Sequence, residues 1–269
     1  MIRKIWSNNP PLAATSLLMF AAFSFSVAGI FLDPRTIMGD PAWLKPAKFG
    51  ISTSLYTATL AWLFGHITVW PRFKHAMGSV IAAVVVLEVA IIDTQAARGA
   101  TSHFNTSTPL DTALYATMGS AIFVLWLANI GILAALFRQK FADPAWGWAL
   151  RLGLMITIVG AALGGLMNRP TPAQIESLQQ HEHVAVVGAH TVGAPDGGSG
   201  IPVLHWSSQH GDLRVPHFFG LHGIQIIPLF AWLIRRRRAL AGVVAFAGTY
   251  AAIVALLTWQ ALAGRPLLG

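Results

Sequence analysis

The stretch HGDLRVPHFFGLHGIQ, residues 210–225, gathers histidine, aspartate and arginine at the mouth of an otherwise apolar run. Neutral imidazole ligates metals and haem iron and carries protons near neutral pH. His210, His217 and His222 are therefore candidate metal ligands, and His217 and His222 are also candidate acid–base groups. Five residues separate His217 from His222, a rotation of about 140° on a helix, so they do not share a face as an i, i+4 chelating pair would. Arg214, Phe218 and His222 do form one stripe. Asp212 is placed to cap this helix, with Pro216 tolerated in its first turn, and as a catalytic residue it would orient a histidine.

A second polar set follows a long apolar run. Glu88 falls near the middle of that run and Asp93 one to two turns further on, followed by Arg98, His103 and Asn105 in RGATSHFN. A carboxylate at that depth is expensive in lipid, so Glu88 is protonated, paired with a buried donor, or part of a proton or cation path. His103 joins Glu88 as a candidate catalytic group and joins His210, His217 and His222 as a candidate ligand. Lys45 and Lys48 in WLKPAKFG, with Arg98, Asn105 and Arg214, are candidate contacts for an anionic ligand, since ammonium and guanidinium groups suit phosphate and carboxylate. Each cation can instead pair with Asp33, Asp93, Asp111 or Asp212. For His222 the structural role is a hydrogen bond to Asn168, Gln225 or Glu88. Glycines 160, 164, 165, 220 and 223 would let a flat macrocycle approach, and they serve ordinary helix packing equally well.

Other patterns carry less chemistry. Gly197-Gly198-Ser199-Gly200 lacks the Lys-Ser/Thr of a phosphate-binding loop and reads as a flexible turn. His181-Glu182-His183 has metal-like spacing only if the segment is extended, because on a helix i and i+2 point nearly opposite ways.

The elements that must position these residues are membrane helices. The chain has 55% apolar and 10% charged residues, and apolar runs near 20 residues recur along its 269 positions. That composition cannot furnish the surface of a soluble protein. The expected fold is all-α: a single bundle over residues 1–269 with seven spans near 12–32, 48–70, 77–97, 110–137, 145–168, 215–234 and 240–262. Thr108-Pro109-Leu110-Asp111 and Asp143-Pro144 carry helix-start signals. Asp40-Pro41 and Thr171-Pro172-Ala173-Gln174 predict short surface helices near 41–46 and 171–181. No cysteine is present, so disulfides and thiolate ligands play no part. The run after Met1-Ile-Arg-Lys lacks a signal-peptide cleavage pattern.

Basic residues set the expected orientation. Arg3, Lys4, Arg72, Lys74, Arg138, Lys140 and the arginines 235–238 would lie in the cytoplasm, with the C-terminus outside. The net charge of +8 is thus a topology signal rather than a nucleic-acid footprint. Segment 169–214 then lies outside as an ordered periplasmic cap, with HVAVVGAHTVG extended and Val184, Val186, Val187, Ile201, Val203, Leu204 and Trp206 supplying apolar mass.

The motifs WLKPAKFGIS, RGATSHFN, HTVGAPDGGSGIP and HGDLRVPHFFGLHGIQ together resemble an uncharacterised family of bacterial multi-pass membrane proteins, over about residues 30–262. The resemblance implies a bacterial inner membrane and brings no activity with it. Ceramidase-like hydrolases are not matched, because their last-span HxxxH is absent. The leading expectation is a membrane-embedded enzyme or redox protein binding a transition metal or haem and an anionic or lipid-like ligand. The rival is a proton- or ion-coupled transporter using Glu88, Asp93 and His222, against which the absence of an evident inverted repeat counts. A sensor or assembly factor is the third reading.

Overall fold

The computed structural model describes residues 6–234 and 240–268. The chain is mostly helical and falls into two compact units, Met1–Gln139 and Lys140–Gly269. Arg3, Lys4 and the arginines 235–238, which carry much of the orientation argument, lie outside the described residues.

The first unit holds α1 (Pro10–Leu32), α2 (Leu44–Phe64), α3 (Pro71–Ala97) and α4 (Pro109–Arg138). Asn9 starts α1 by accepting from Leu12 N at 3.1 Å. Thr108 starts α4 by accepting from Asp111 N at 3.1 Å, as the sequence predicts. Between α1 and α2, strands β1 (Thr36–Ile37) and β2 (Asp40–Pro41) pair through Met38 and Gly39. Both of those residues have positive φ, 53° and 84°, which suits the twist of a two-residue hairpin. Asp40-Pro41 is therefore strand and not the start of a helix at 41–46, and α2 begins at Leu44. Asp33 closes the hairpin: the Arg35 guanidinium and then the Trp43 indole N–H bond its carboxylate and hold it well below the usual carboxylate range.

α1 and α2 are stitched at mid-length, where each of Ser16 and Ser54 donates its hydroxyl to the other's carbonyl, at 2.9 and 2.8 Å. Gly50 lets the helices approach, since a Cβ there would stand 2.8 Å from the backbone nitrogen of Phe23.

The second unit holds α5 (Pro144–Leu163), which runs into a 3-10 turn at Gly164–Asn168, then α6 (Pro172–Gln179), α7 (Arg214–Leu221), α8 (Gly223–Leu233) and α9 (Leu240–Leu262). Asp143 caps α5 through Trp146 N. Thr171 and Gln174 cap α6 reciprocally, slightly inside the expected 171–181. Of HVAVVGAHTVG only β3 (Thr191–Val192) is strand, antiparallel to β4 (Gly211–Asp212). The apolar residues of this segment do not all pack: Trp206 is buried while Val203 is 69% exposed.

Among the described residues, five helical runs are long and apolar enough to cross a membrane: α1, α3, α4, Pro144–Asn168 and α9. Phe31 and Leu32 at the end of α1 are each 82% exposed, which suits acyl chains rather than water. The spans expected at 48–70 and 215–234 are not among the five. In α2 the run is diluted by Lys45, Lys48 and hydroxyl residues. Of these, Thr53, Thr57 and Thr59 donate back to carbonyls four residues earlier and so satisfy themselves.

The expected sixth span is two short helices. Gln225 N bonds His222 O, three residues back, so the Leu221 carbonyl loses its ordinary partner. Thr157 of α5 repairs the break. Its hydroxyl donates to Leu221 O at 3.1 Å and accepts from Ile224 N at 2.8 Å, satisfying both groups that the interruption frees.

Candidate functional site

In the first unit the chain brings Glu88, His103 and Lys45 together. Glu88 lies nine residues before the end of α3, roughly 13 Å along the axis at 1.5 Å per residue. The segment after α3 folds back toward it. Ala100 N returns to Gln95 O at 2.9 Å, and Asn105 braces the loop by donating to Thr101 O and accepting from Ser107 N. Phe104 takes a positive φ of 61° and is buried, with its ring against Tyr115 and His103. His103 is thereby aimed at α3, where its Nε2 stands 3.7 Å from Glu88 Oε1. Its Nδ1 is 3.1 Å from Lys45 Nζ and 3.1 Å from Ser102 Oγ.

These partners fix the tautomer. An ammonium only donates, so Nδ1 accepts from Lys45 and the ring proton sits on Nε2, facing the carboxylate. Glu88 is 4% exposed, and its second oxygen, Oε2, is buried without a hydrogen-bond partner among the described residues. Buried carboxylate oxygens are seldom left so. Asp93 Oδ1 is likewise buried and unbonded.

Arg98 and Asn105 do different work from that expected of ligand contacts. Arg98 bonds Gln95 and reaches Asp111 Oδ1 at 2.7 Å, with Thr108 and Gln95 completing the carboxylate's shell. Its charge is already met by Asp111, and Asn105 is committed to its own loop.

In the second unit, Asp212 does not orient a histidine. It accepts from Ser207 N at 2.8 Å and from Arg214 through the backbone N–H, Nε and Nη2, the last at 2.6 Å. Arg214 is thus neutralised beside its own helix start. Asp212 is also not the cap residue of α7; that position is Leu213. His217 donates from Nδ1 to Gly160 O at 2.8 Å. His222 lies at the junction of α7 and α8 with its ring 4.4 Å from that of Phe218, as the stripe predicts, and it bonds Gln225. Gly160 and Gly220 face each other so closely that a Cβ on Gly160 would stand 2.5 Å from Gly220 Cα. Each glycine fills the other's space, so at this point they pack helices instead of admitting a macrocycle.

The oriented histidine is one that the sequence reading did not single out. His190 Nδ1 lies 2.7 Å from Asp196 Oδ2, and the backbone N–H groups of His190 and Thr191 also donate to this carboxylate. Burial raises Asp196, but the His190 bond and charge and the two backbone donors outweigh it and leave it well below the usual range. Asp196 lies in APDGG, whose turn composition masks the role.

His210 anchors its turn by donating its backbone N–H to Ser207 Oγ at 3.0 Å. Among the described residues no group of three or more histidine, aspartate or glutamate side chains is placed to hold a metal ion. His103, His210, His217 and His222 therefore form no such group.

No family model matches the chain, and neither a curated protein nor a solved structure does.

Proposed function

We propose that this is a seven-crossing membrane protein that moves or couples protons through Glu88, His103 and Lys45. The single observation that carries this reading is Glu88, buried in a helix long enough to span the bilayer, with one oxygen facing His103 Nε2 and the other unbonded. A charged group at such a position is costly and marks an ion or proton route.

The chemistry follows from the tautomer. His103 is a neutral imidazole with its one proton on Nε2, so a proton must first arrive at Nδ1; the resulting imidazolium passes its Nε2 proton to the Glu88 carboxylate and is left neutral, with its proton on Nδ1. Lys45 and Ser102 occupy that nitrogen. A protonated Nδ1 facing an ammonium is repulsive, so recharging His103 requires Lys45 to withdraw. The separation of 3.7 Å exceeds a hydrogen bond; the pair closes, or one water bridges it, when the proton passes. A proton-coupled transporter is the function that this arrangement serves best. In this reading α2 and the α7–α8 pair supply the two further crossings, the N-terminus is cytoplasmic, segment 169–214 is a periplasmic cap, and the membrane is a bacterial inner membrane. Proton flux into proteoliposomes tests it: flux is expected with the native chain and lost with Glu88→Gln, and flux that is indifferent to Glu88 ends the reading.

A membrane-embedded redox enzyme is the second reading, favoured by His217. Its Nδ1 is committed to a backbone carbonyl, the arrangement that directs Nε2 to a metal or haem. An absorption spectrum and metal analysis of the purified protein decide this: a Soret band or about one equivalent of metal supports it. A lipid-like or anionic ligand would then meet Lys45 and Lys48, since ammonium groups suit phosphate and carboxylate.

A further inference from the structure

The two units share a pattern that the sequence does not announce. Residues 46–91 align in sequence with residues 216–261 in one register without a gap. Pro46, Phe49 and Gly50 correspond to Pro216, Phe219 and Gly220, and Ala61-Trp62-Leu63 to Ala231-Trp232-Leu233. Gly78, Ala82, Val84 and Leu87 correspond to Gly248, Ala252, Val254 and Leu257 in the next helix. Apolar chains coincide easily, so the structural match matters more than the letters. Positions 46, 50, 54, 57 and 61 are buried in α2, and their counterparts 216, 220, 224, 227 and 231 are all buried in α7 and α8. Spacings of four, four, three and four residues describe one helical face.

One pair of corresponding glycines, Gly50 and Gly220, also does the same work. Gly50 meets the backbone of Phe23 in α1, and Gly220 meets the backbone of Gly160 in α5. Each of these preceding helices opens with a polar cap followed by proline, Asn9-Pro10 and Asp143-Pro144, and each cap accepts from the backbone three residues on. Both later helices, α2 and α7, are entered from a two-stranded antiparallel pair. The unit is thus a proline-capped helix, a stranded connection, a helix pinned by glycine, a short link and a third helix. It occurs as α1–α2–α3 and again as α5–α7/α8–α9.

We propose that the chain is a duplication of this three-helix unit, inserted twice in the same sense, and that its ionisable side chains without a counterpart are dispensable for the fold. The shared sense rests on the seven-crossing reading: α4 belongs to neither copy and supplies the one crossing that restores the starting side. The repeat itself does not depend on proton transport.

Each copy acts as a control for the other. The first copy has Ala47 where the second has His217, and Ser52 where the second has His222. The second places Thr258 at the position of Glu88 and Phe218 at that of Lys48. The unit therefore folds without an ionisable group at any of these four places. His217 and His222 are the second copy's additions, as Glu88 and Lys48 are the first's.

The test uses the full-length chain, which has no cysteine of its own. Single cysteines are placed at Thr68, in the link before α3, at Arg236, and at Gly39 and Gly198, in the longer connections. They are labelled with an impermeant maleimide in sealed membranes. Labelling of 68 and 236 from one face, and of 39 and 198 from the other, is expected. Labelling of 68 and 236 from opposite faces would overturn the shared sense. Separately, His217→Ala, His222→Ser, Glu88→Thr and Lys48→Phe each give a residue the fold already accepts elsewhere. Each is expected to change the melting temperature in detergent by less than about 4 °C, the scale of a mild substitution in a chain of this size. A larger drop overturns the claim that these side chains are dispensable, whatever the flux measurements show.

Discussion

Thr157 and Ile224 are joined by a hydrogen bond of 2.8 Å from the Ile224 amide to the threonine hydroxyl, while the same hydroxyl donates to Leu221 O. One buried side chain thus closes both ends of the α7–α8 interruption. Thr157→Val keeps the shape and strands an N–H and a C=O in an apolar setting, each worth about 1–3 kcal/mol. A fall in unfolding free energy of about 2–4 kcal/mol is expected, with Thr157→Ser close to the native chain. Denaturant titration in detergent measures both, and a native-like Thr157→Val would show that the break has another means of support.

The approach of Gly160 to Gly220 leaves no room for a methyl group. Gly160→Ala and Gly220→Ala should each destabilise by about 1–3 kcal/mol through overpacking. At Gly119 and Gly248 an added Cβ would meet nothing within 4 Å, so alanine there should be neutral or slightly stabilising, since these glycines sit inside helices. The four variants compared by thermal unfolding separate close packing from helix propensity.

Glu88→Gln keeps volume and removes the titrating group. The expected result is a fall of about 10²–10⁴-fold in any proton-dependent rate, the range for loss of a positioned acid–base group, with the fold retained. Lys45→Met should instead change the pH profile, because His103 Nδ1 loses the ammonium that competes with its protonation. A stopped-flow record of internal pH in proteoliposomes reads both. A Lys45→Met profile identical to the native one would remove Lys45 from the relay.

The anchoring of the 188–212 segment should depend on acid. Asp196 is depressed in the folded state, so its contribution is fully present above the unfolded carboxylate value of about 3.9. It is lost as pH falls from there through the lower folded value. Limited proteolysis of this segment should accelerate below about pH 4 and hold steady from about pH 5 to 7. Asp196→Asn should be cleaved faster than the native chain near neutral pH, with the difference closing in acid, and should lose the acid step.

Much of this was legible in the residues. Helix starts at Asn9, Thr108, Asp143 and Thr171 each place a side-chain acceptor before proline, a local signal that needs no tertiary context. The stripe of Phe218 and His222 followed from helical spacing alone. What spacing could not supply was partner choice. Asp212 and Arg214 are two residues apart and were free on paper to serve a histidine and an anion; the turn at Leu213 folds them onto each other instead. Asp40-Pro41 carries the same signal as Asp143-Pro144, but positive φ at Met38 and Gly39 turns the chain into a hairpin first. The interruption at His222 was hidden because the group that satisfies it lies sixty-odd residues away, in the Thr157 hydroxyl. His190 and Asp196 were hidden by turn composition, which says where a chain bends and not which side chain the bend encloses.

The contact between Gly160 and Gly220 has a mechanical side. Two backbones that touch with no side chain between them can roll against each other but cannot slide apart without opening a void, so the point of contact is a bearing. The helix break at His222 begins two residues beyond it. Beyond the break the same helix is met again, since a Cβ on Gly153 would stand 2.8 Å from Gly223 O, so α7 and α8 each bear on α5 at a point of their own, with the threonine holding the two pieces end to end between them.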